Sequence, residues 1–269
     1  MFKIGFIGAG NMGGALAQAG RKALGRENVL VCDATRERTE EAARRTGATS
    51  SDKKTICDTC RLIFLGVKPN AVEGVLQEIS PLLRRRQDPV ALVSMAAGTP
   101  IARIKSVDGI QNAHVIRIMP NTPVKVGEGV IVYAPCAEAT EEDCAALEEA
   151  LIKAGVVERA TEKQLEAVGA LSGCGPAFAY LFIEALADAG VECGLPRAAA
   201  LKYAEQTVLG AAKTARDTKK HPAELKDEVC SPGGTTIAGV HALERSGFRA
   251  AAMDAVLAAY KKTFELSGK

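Results

Sequence analysis

A glycine-rich turn near the start of the chain constrains its fold most. A short apolar run at residues 3–7 leads into the letters GAGNMG, with glycine at positions 8, 10 and 13, and a helical pattern follows over residues 11–25. The first glycine permits a tight turn, the second a close approach of a ligand to the backbone, and the third close packing of helix against strand. The sequence therefore predicts a strand–turn–helix unit that opens a parallel α/β sheet.

The same turn predicts a dinucleotide site. The first N–H groups of a helix have no internal partner and lie at the positive end of the helix dipole, so they bind a pyrophosphate. Asp33 ends the second predicted strand, where a carboxylate bonds the adenosine ribose and repels a 2′-phosphate. This favours NADH slightly over NADPH. Because Arg36 and Arg38 lie just beyond and could bind a phosphate, both cofactors stay open.

Short apolar runs alternate with amphipathic stretches through about residue 160. Strands are predicted at 3–7, 28–32, 62–67, 90–94, 114–118 and 130–134, and helices at 11–25, 36–46, 70–84 and 141–154. This alternation is typical of a doubly wound parallel sheet, a Rossmann domain, which we assign to residues 1–160. The run at 62–67 is apolar on both faces and should lie in the middle of the sheet.

From residue 161 to 269 the pattern predicts an all-helical second domain. Alanine-rich helical stretches are broken at residues 173–176, 194–196, 220–222 and 231–234. The segment at 176–189 is apolar on nearly every face, so other protein must surround it. We therefore expect this domain to form a homodimer.

A second glycine-rich turn, SPGGTT at residues 231–236, precedes a helical pattern near the C-terminal end. Its backbone N–H groups form another anion site, suited to a carboxylate or phosphate. One loop for a dinucleotide and one for a small acid predict a site between the two domains. The second loop could face the Rossmann domain of its own subunit or of the partner.

Composition and charge argue against several other classes of function. Lysine and arginine number 34 against 32 acidic residues, so nucleic acid is not an expected partner. The chain shows neither an export signal nor an apolar run long enough to span a membrane, and we expect a cytoplasmic protein. Eight scattered cysteines fit reduced thiols. Cys57 and Cys60 form a CxxC pair without further metal-ligand spacing, so no metal is expected and their role stays open.

Several motifs, in order and spacing, resemble one family. FIGAGNMG, GVKPN, AAG, MPNTP, ALSGCGPAF and SPGGTT resemble the pyrroline-5-carboxylate reductases, and HPxxLKDxVxSPGGTT at residues 221–236 is close to diagnostic. The resemblance implies a Rossmann domain, a helical dimerisation domain and dimers that can gather into larger rings such as decamers. It also implies NAD(P)H-dependent reduction of 1-pyrroline-5-carboxylate to L-proline, the last step of proline biosynthesis.

The resemblance also implies site residues, carried over position by position. The expected cofactor residues are Ile7, Gly8, Ala9, Gly10, Asn11, Met12, Asp33, Val67, Lys68, Pro69, Ala96, Ala97 and Gly98. The expected substrate residues are Glu162, Gly233, Gly234, Thr235 and Thr236, with the Thr236 hydroxyl facing the ring nitrogen as the catalytic group. Family members often differ at Asp33, and commonly carry Asn where Asp52 and Glu228 stand here, which leaves the cofactor preference and those contacts open.

Two alternatives differ in substrate or in class. A related cyclic imine carboxylate or a 2-oxo acid has a shape that the same loops accept. A non-catalytic NAD(P)-sensing protein would keep only the first loop, and the retention of every loop around both ligands argues against it.

The expected homodimer is tested by size-exclusion chromatography with light scattering at micromolar protein concentration. The apolar helix at 176–189 predicts a mass of at least two chains, because burial of such a face needs a partner. A monomer at this concentration would contradict the expectation.

Overall fold

An eight-stranded sheet organises the N-terminal part of the chain in the computed structural model, which describes residues 2–111 and 113–266. The strands within these residues are β1 (Ile4–Ile7), β2 (Val29–Cys32), β3 (Thr49–Ser50), β4 (Leu62–Leu65), β5 (Ala91–Ser94), β6 (His114–Pro120), β7 (Gly129–Pro135) and β8 (Gly155–Arg159). Their order across the sheet is β3-β2-β1-β4-β5-β6-β7-β8.

The sheet is doubly wound, as predicted. From β1 the chain adds β2 and β3 on one side and returns to add β4, β5 and β6 on the other, and all of these neighbours are parallel. Strand β7 runs antiparallel to β6 and parallel to β8. The predicted central strand is confirmed, because β4 lies between β1 and β5. The order reverses between β1 and β4, where such folds bind ligands at the carboxyl ends of the strands.

Helices cover both faces of this sheet and make up the later part of the chain. Over the described residues they are α1 (Asn11–Leu24), α2 (Arg36–Thr46), α3 (Lys53–Thr59), α4 (Val72–Leu83), α5 (Ile101–Lys105), α6 (Glu141–Leu151), α7 (Glu162–Val168), α8 (Gly175–Glu192), α9 (Arg197–Thr218), α10 (Pro222–Glu228), α11 (Thr235–Arg245) and α12 (Phe248–Leu266). The sequence analysis did not predict β3, α3, α5 or β8, which are all short.

The core forms two apolar layers, one on each face of the sheet. Alternate residues of β1 and β4 enter opposite layers: Phe6 and Phe64 stack on one face with ring centroids 4.4 Å apart, while Ile7 and Ile63 pack on the other. Strands β1, β4 and β5 are buried at every position. Burial on both faces explains why these strands are apolar throughout.

Three glycines bring the backbone of α1 close to β1 and β4. An added Cβ atom at Gly66 would lie 2.1 Å from the carbonyl oxygen of Gly8, and one at Gly13 would lie 2.4 Å from the same oxygen. Gly8 has φ +89°, a conformation that side chains disfavour. No other residue type fits these positions without moving the backbone.

The chain forms two compact units. One comprises Met1–Gly173 with Tyr260–Lys269, and the other comprises Cys174–Ala259. The sequence analysis placed the domain boundary at residue 160, and that boundary stays a prediction; residues 1 and 267–269 lie outside the described part. Among the described residues of α8–α11, the buried ones are three alanines, Ala187, Ala200 and Ala204.

The expectation that no apolar run is long enough to span a membrane needs correction. The helical run Glu162–Glu192 is long and apolar enough by length and composition to cross a membrane, with a mean hydropathy of 1.4 over its best window. Residues 167–183 contain no charged side chain, and alanine adds to the hydropathy there. Only 11% of that window is buried, and Tyr180 and Leu181 are 63% and 67% exposed. A subunit interface has the same apolar character.

The glycine packing makes a prediction for stability. Gly66→Ala is expected to lower the free energy of unfolding by about 1–3 kcal/mol, because the added methyl group overlaps the backbone of Gly8. The matched control, Gly74→Ala in α4, places its methyl group where no described atom lies within 4 Å. It should raise stability by about 0.5–1 kcal/mol. Urea denaturation at one protein concentration measures both, and equal stability of the two variants would contradict this packing.

Candidate functional site

A cleft of about 460 Å³ opens at the carboxyl ends of β1, β2 and β4. It brings together six of the predicted cofactor residues, namely Gly8, Ala9, Gly10, Asp33, Val67 and Lys68. Of its other lining residues, Gly66 and Asn70 belong to the GVKPN motif, and Arg38 was considered as a phosphate ligand. The sequence analysis did not name the remaining four, which are Glu41, Ala42, Arg45 and Ala71. The cleft therefore lies at the reversal point of the sheet, where the glycine turn predicted it.

The glycine turn presents the N-terminus of α1 to this cleft. The Gly8 N–H donates to the carbonyl oxygen of Cys32 at 2.9 Å, which fixes the turn beside β2. Gly10 is the N-cap residue of α1, and a Cβ atom added there would have no described atom within 4 Å. The first turn of the helix contains no acidic residue. Asn11 is exposed. The arrangement fits a pyrophosphate group, since open N–H groups face a space that an anion can enter.

Arg45 adds a positive charge at the same turn. Its guanidinium, from the last turn of α2, donates to the carbonyl oxygen of Ala9 and lies 3.5 Å from that of Gly10. The sequence analysis missed Arg45, because a basic residue near a helix C-terminus is ordinary and only the fold brings it over the turn.

Asp33 is held against the glycine turn by backbone N–H groups. Its Oδ2 accepts a hydrogen bond from the Ala9 N–H at 3.1 Å, and its Oδ1 accepts one from the Ala34 N–H at 2.8 Å. The Asp33 N–H donates to the Thr39 hydroxyl at 2.9 Å. The carboxylate therefore has a fixed position at the end of β2, as the spacing predicted.

A second cleft of about 560 Å³ continues past Asp33 toward α3. Asp52 also lines it and caps α3, accepting hydrogen bonds from the N–H and hydroxyl of Thr55 at 2.8 Å each. The backbone and side-chain hydrogen bonds from Thr55 lower the pKa of Asp52 below its ordinary value. Three carboxylates thus border this cleft, namely those of Asp33, Asp52 and Glu78.

The basic residues that line the second cleft are each paired with an acidic side chain. Arg36 pairs with Glu40 at 2.9 Å, Lys54 with Asp58 at 2.7 Å, and Lys53 with Glu78. Asp33 and Asp52 instead accept hydrogen bonds from backbone N–H and hydroxyl groups, so neither carboxylate forms an ion pair with these three cations.

A third cleft of about 490 Å³ contains the predicted nicotinamide residues Pro69, Ala97 and Gly98. Asn70 lines this cleft and also the first one, so the two predicted groups of cofactor residues border adjoining spaces. The side chains of Ile7 and Ala96 are buried, which leaves only their backbone atoms for a ligand. The Ile7 carbonyl oxygen already accepts the Gly66 N–H at 2.8 Å.

The SPGGTT loop lies in the other compact unit, and forms the turn and helix start that its sequence predicted. Gly233 has φ +68°, and the Gly234 N–H donates to the Ser231 carbonyl oxygen at 3.0 Å. Gly234 is the N-cap residue of α11, without a side-chain cap. Thr235 and Thr236 form the exposed first turn, so the hydroxyl of Thr236 is not the helix cap.

Glu162 begins α7 and contacts two other elements. Its Oε1 accepts the Ile101 N–H at 2.7 Å and lies 3.4 Å from Arg117 Nη1. Arg117, which the sequence analysis missed, is only 2% exposed and also donates to Glu166 Oε1 at 2.9 Å. The alternation of residues along a strand does not show whether a basic side chain is exposed or buried, so no local pattern identified Arg117.

The CxxC pair has a structural position. Both thiols are buried beneath the sheet, and burial raises the pKa of Cys57 to about 12 and that of Cys60 to about 11. Arg86 donates to the carbonyl oxygen of Cys57 at 2.8 Å and to that of Cys60. Within the described residues, no group of three or more His, Cys, Asp or Glu side chains is placed to hold a metal ion.

Comparison with known proteins supports one family throughout the chain. Two family models match: pyrroline-5-carboxylate reductase dimerisation over residues 162–266, and the NADP oxidoreductase, coenzyme F420-dependent, over residues 3–98. The pyrroline-5-carboxylate reductase of Glycine max is 44% identical, covering 99% of this chain and 96% of its own. One model matches within the sheet and the other covers the helical part from α7 onward, and together they confirm the expected fold class.

Solved structures agree. A pyrroline carboxylate reductase of Plasmodium falciparum with NADP bound has a TM-score of 0.84 and 32% identity over 100% of this chain and 98% of its own. A pyrroline-5-carboxylate reductase of Coxiella burnetii has a TM-score of 0.90 and 29% identity, covering 98% of both chains. The resemblance found in the motifs is confirmed: the chain belongs to the pyrroline-5-carboxylate reductase family.

Proposed function

We propose that this chain reduces 1-pyrroline-5-carboxylate to L-proline with a hydride from NAD(P)H. The observation that carries the proposal is a whole-length match to reductases of this substrate, in a chain whose glycine turn opens the α1 N-terminus onto a cleft. Gly10 leaves room for a pyrophosphate, and Ala97 with Gly98 line the adjoining cleft with small residues. The described residues therefore fit a nicotinamide dinucleotide.

The reaction adds a hydride to the carbon of the C=N bond and a proton to the nitrogen, and the oxidised nucleotide leaves. A bound reduced nicotinamide supplies the hydride. A cyclic imine can enter already protonated as an iminium ion, so the protein need not supply a strong acid. This agrees with residues 169–176, which contain no acidic or basic side chain. The protein then acts mainly by holding the ring about 3–3.5 Å from the donor.

The loop at residues 231–236 is proposed to bind the substrate carboxylate. The first-turn N–H groups of α11 lie at the positive end of the helix dipole, and no acidic residue lies in that turn. Thr236 lies exposed in this turn, and its hydroxyl is proposed to orient the ring nitrogen. Glu162, which the resemblance places near the substrate, also bonds Ile101 and Arg117 in this structure.

A homodimer is part of the proposal, and so is a cytoplasmic location. The dimerisation match covers residues 162–266, and large apolar side chains such as Tyr203, Leu209 and Met253 are more than half exposed there. Exposed apolar area of this kind is typical of a subunit interface. All eight cysteines are free, which agrees with a reducing compartment.

We further propose that NADH is the preferred donor. The 2′-phosphate of NADPH would face Asp33 and Asp52, and the three cations of the second cleft, Arg36, Lys53 and Lys54, are already paired with acidic residues. The relative from Plasmodium falciparum was solved with NADP bound. If the enzyme instead prefers NADPH, Arg38 and Arg45 of the first cleft are the residues that would bind its 2′-phosphate.

One absorbance assay tests the activity and separates the alternatives. Oxidation of NADH or NADPH is followed with pyrroline-5-carboxylate, piperideine carboxylate and 2-oxo acids in turn. Turnover with pyrroline-5-carboxylate and formation of L-proline are expected. Faster turnover of another substrate would replace the proposed one, and tight nucleotide binding without turnover of any substrate would favour a sensor.

Thr236→Ala is expected to lower kcat/KM for pyrroline-5-carboxylate by about 10- to 100-fold, or roughly 1.4–2.8 kcal/mol. One hydrogen bond to the ring nitrogen is lost, while the N–H groups that hold the carboxylate remain. Thr236→Ser keeps the hydroxyl and serves as the matched control, with kcat/KM close to that of the unchanged enzyme. Equal kinetics of the alanine variant and the unchanged enzyme would remove Thr236 from the site.

The cofactor preference is measured as the ratio of kcat/KM for NADH to that for NADPH. We expect a ratio of about 10 or more, and Asp33→Ser should lower it by about tenfold, equivalent to ~1.4 kcal/mol, because a fixed charge beside the 2′-position is removed. Glu141→Gln, which changes an exposed ion pair on α6, is the charge-matched control. A ratio below one in the unchanged enzyme would contradict the preference for NADH.

A further inference from the structure

We propose that Arg117 is a positioning residue for the reduction. Together with Glu162 it holds the loop at residues 95–100, and through that loop it sets the place of the nicotinamide. The inference rests on the proposed function, which assigns Ala97 and Gly98 of this loop to the nicotinamide end of the cofactor.

Arg117 is a buried charge at the beginning of this loop. In the parallel register of β5 and β6 it lies opposite Ser94, the last residue of β5, and the loop starts at the next position. Its guanidinium bonds Glu166 at 2.9 Å and Glu162 at 3.4 Å, and both of these carboxylates are partly exposed. Because a buried charge without partners is costly, the three side chains hold α7 against β6 as a unit.

Glu162 reaches the other end of the loop. Its carboxylate accepts the N–H of Ile101, the first residue of α5, at 2.7 Å. Pro100 is the N-cap residue of that helix and supplies no side-chain cap, so the first N–H groups need an acceptor from elsewhere. An ionised acceptor at a helix N-terminus makes a strong hydrogen bond. Glu162 therefore caps α5 from a distant position in the chain.

The loop is thus anchored at its Ile101 end by Glu162, and at its Ser94 end by the pairing of β5 with β6 at Arg117. Between Ser94 and Ile101 lie Ala97 and Gly98, which line the third cleft, and Gly98 has φ +67°. Hydride transfer depends steeply on distance, and a displacement of about 1 Å can lower the rate about 100-fold. With 98% of its side chain buried, Arg117 acts through the loop and not by contact with the substrate.

The experiment compares Arg117→Lys, Glu162→Ala and Glu162→Gln in the full-length enzyme. Lysine keeps the charge of Arg117 but cannot bridge both carboxylates, and glutamine keeps an oxygen for the Ile101 N–H that alanine lacks. We measure kcat, KM for NADH and for pyrroline-5-carboxylate, and the deuterium isotope effect on hydride transfer.

Arg117→Lys and Glu162→Ala are each expected to lower kcat about tenfold and to raise the isotope effect, because hydride transfer becomes slower than the other steps. KM for NADH should change less than about twofold, since the glycine turn still holds the pyrophosphate. Glu162→Gln should recover most of kcat. Glu141→Gln, which breaks the exposed pair with Arg159, is the control with unchanged kinetics.

Two results would overturn the proposal. One is a kcat within twofold of that of the unchanged enzyme in both Arg117→Lys and Glu162→Ala. A lower kcat that the fraction of folded enzyme explains, with no change in the isotope effect, counts as the same result. The other is a raised KM for the imine in Glu162→Ala alone, which would mean that Glu162 itself contacts the substrate. Absence of turnover in the unchanged enzyme contradicts the proposed function instead. In that case hydrogen exchange tests the anchoring separately, and the Ile101 amide is expected to exchange faster in Glu162→Ala.

Discussion

Backbone contact among Gly8, Gly13 and Gly66 sets the place of helix α1 on the sheet, and the dinucleotide cleft depends on this contact. With the Gly8 carbonyl oxygen only 2.1–2.4 Å from where side chains at Gly66 and Gly13 would begin, strand β1, helix α1 and the end of β4 meet without side chains between them. The N-terminus of α1 consequently opens at the point where the strand order reverses. Gly10, where an added Cβ would meet no described atom within 4 Å, is left open for the ligand.

The charges around the cleft are arranged along the direction in which a dinucleotide would extend. Arg45 and the N-terminus of α1 are positive where a pyrophosphate would lie. Farther along, Asp33 and Asp52 are held by N–H and hydroxyl donors, and the cations of the second cleft have acidic partners. The proposed preference for NADH rests on this sequence of charges, which would accommodate two phosphates and disfavour a third.

The sequence predicted those elements whose signal is local. Strands β1, β2 and β4–β7 are apolar runs, and the glycine spacing located the turn and Asp33. Strand β3 has only two residues, Thr49 and Ser50, without an apolar pattern, and it pairs at the edge beside β2. Helix α5 is five residues long, and its cap comes from Glu162, 61 residues later, so no local pattern could reveal it. Arg45 and Arg117 were missed for the same reason, since only the fold gives each its partners. The functions of Thr236 and Glu162 came from the family resemblance, and the structure adds for Glu162 a set of partners that the resemblance did not include.

A crystal structure of the enzyme with oxidised nucleotide and L-proline tests most directly the claim that the two glycine-rich turns bind the two anions, because one experiment shows both sites. The account predicts that the pyrophosphate oxygens accept hydrogen bonds from backbone N–H groups of residues 10–12. It also predicts that the proline carboxylate accepts them from residues 234–236, with the ring carbon about 3.5 Å from the nicotinamide. A pyrophosphate bound away from the glycine turn, or a carboxylate held by other residues, would contradict it.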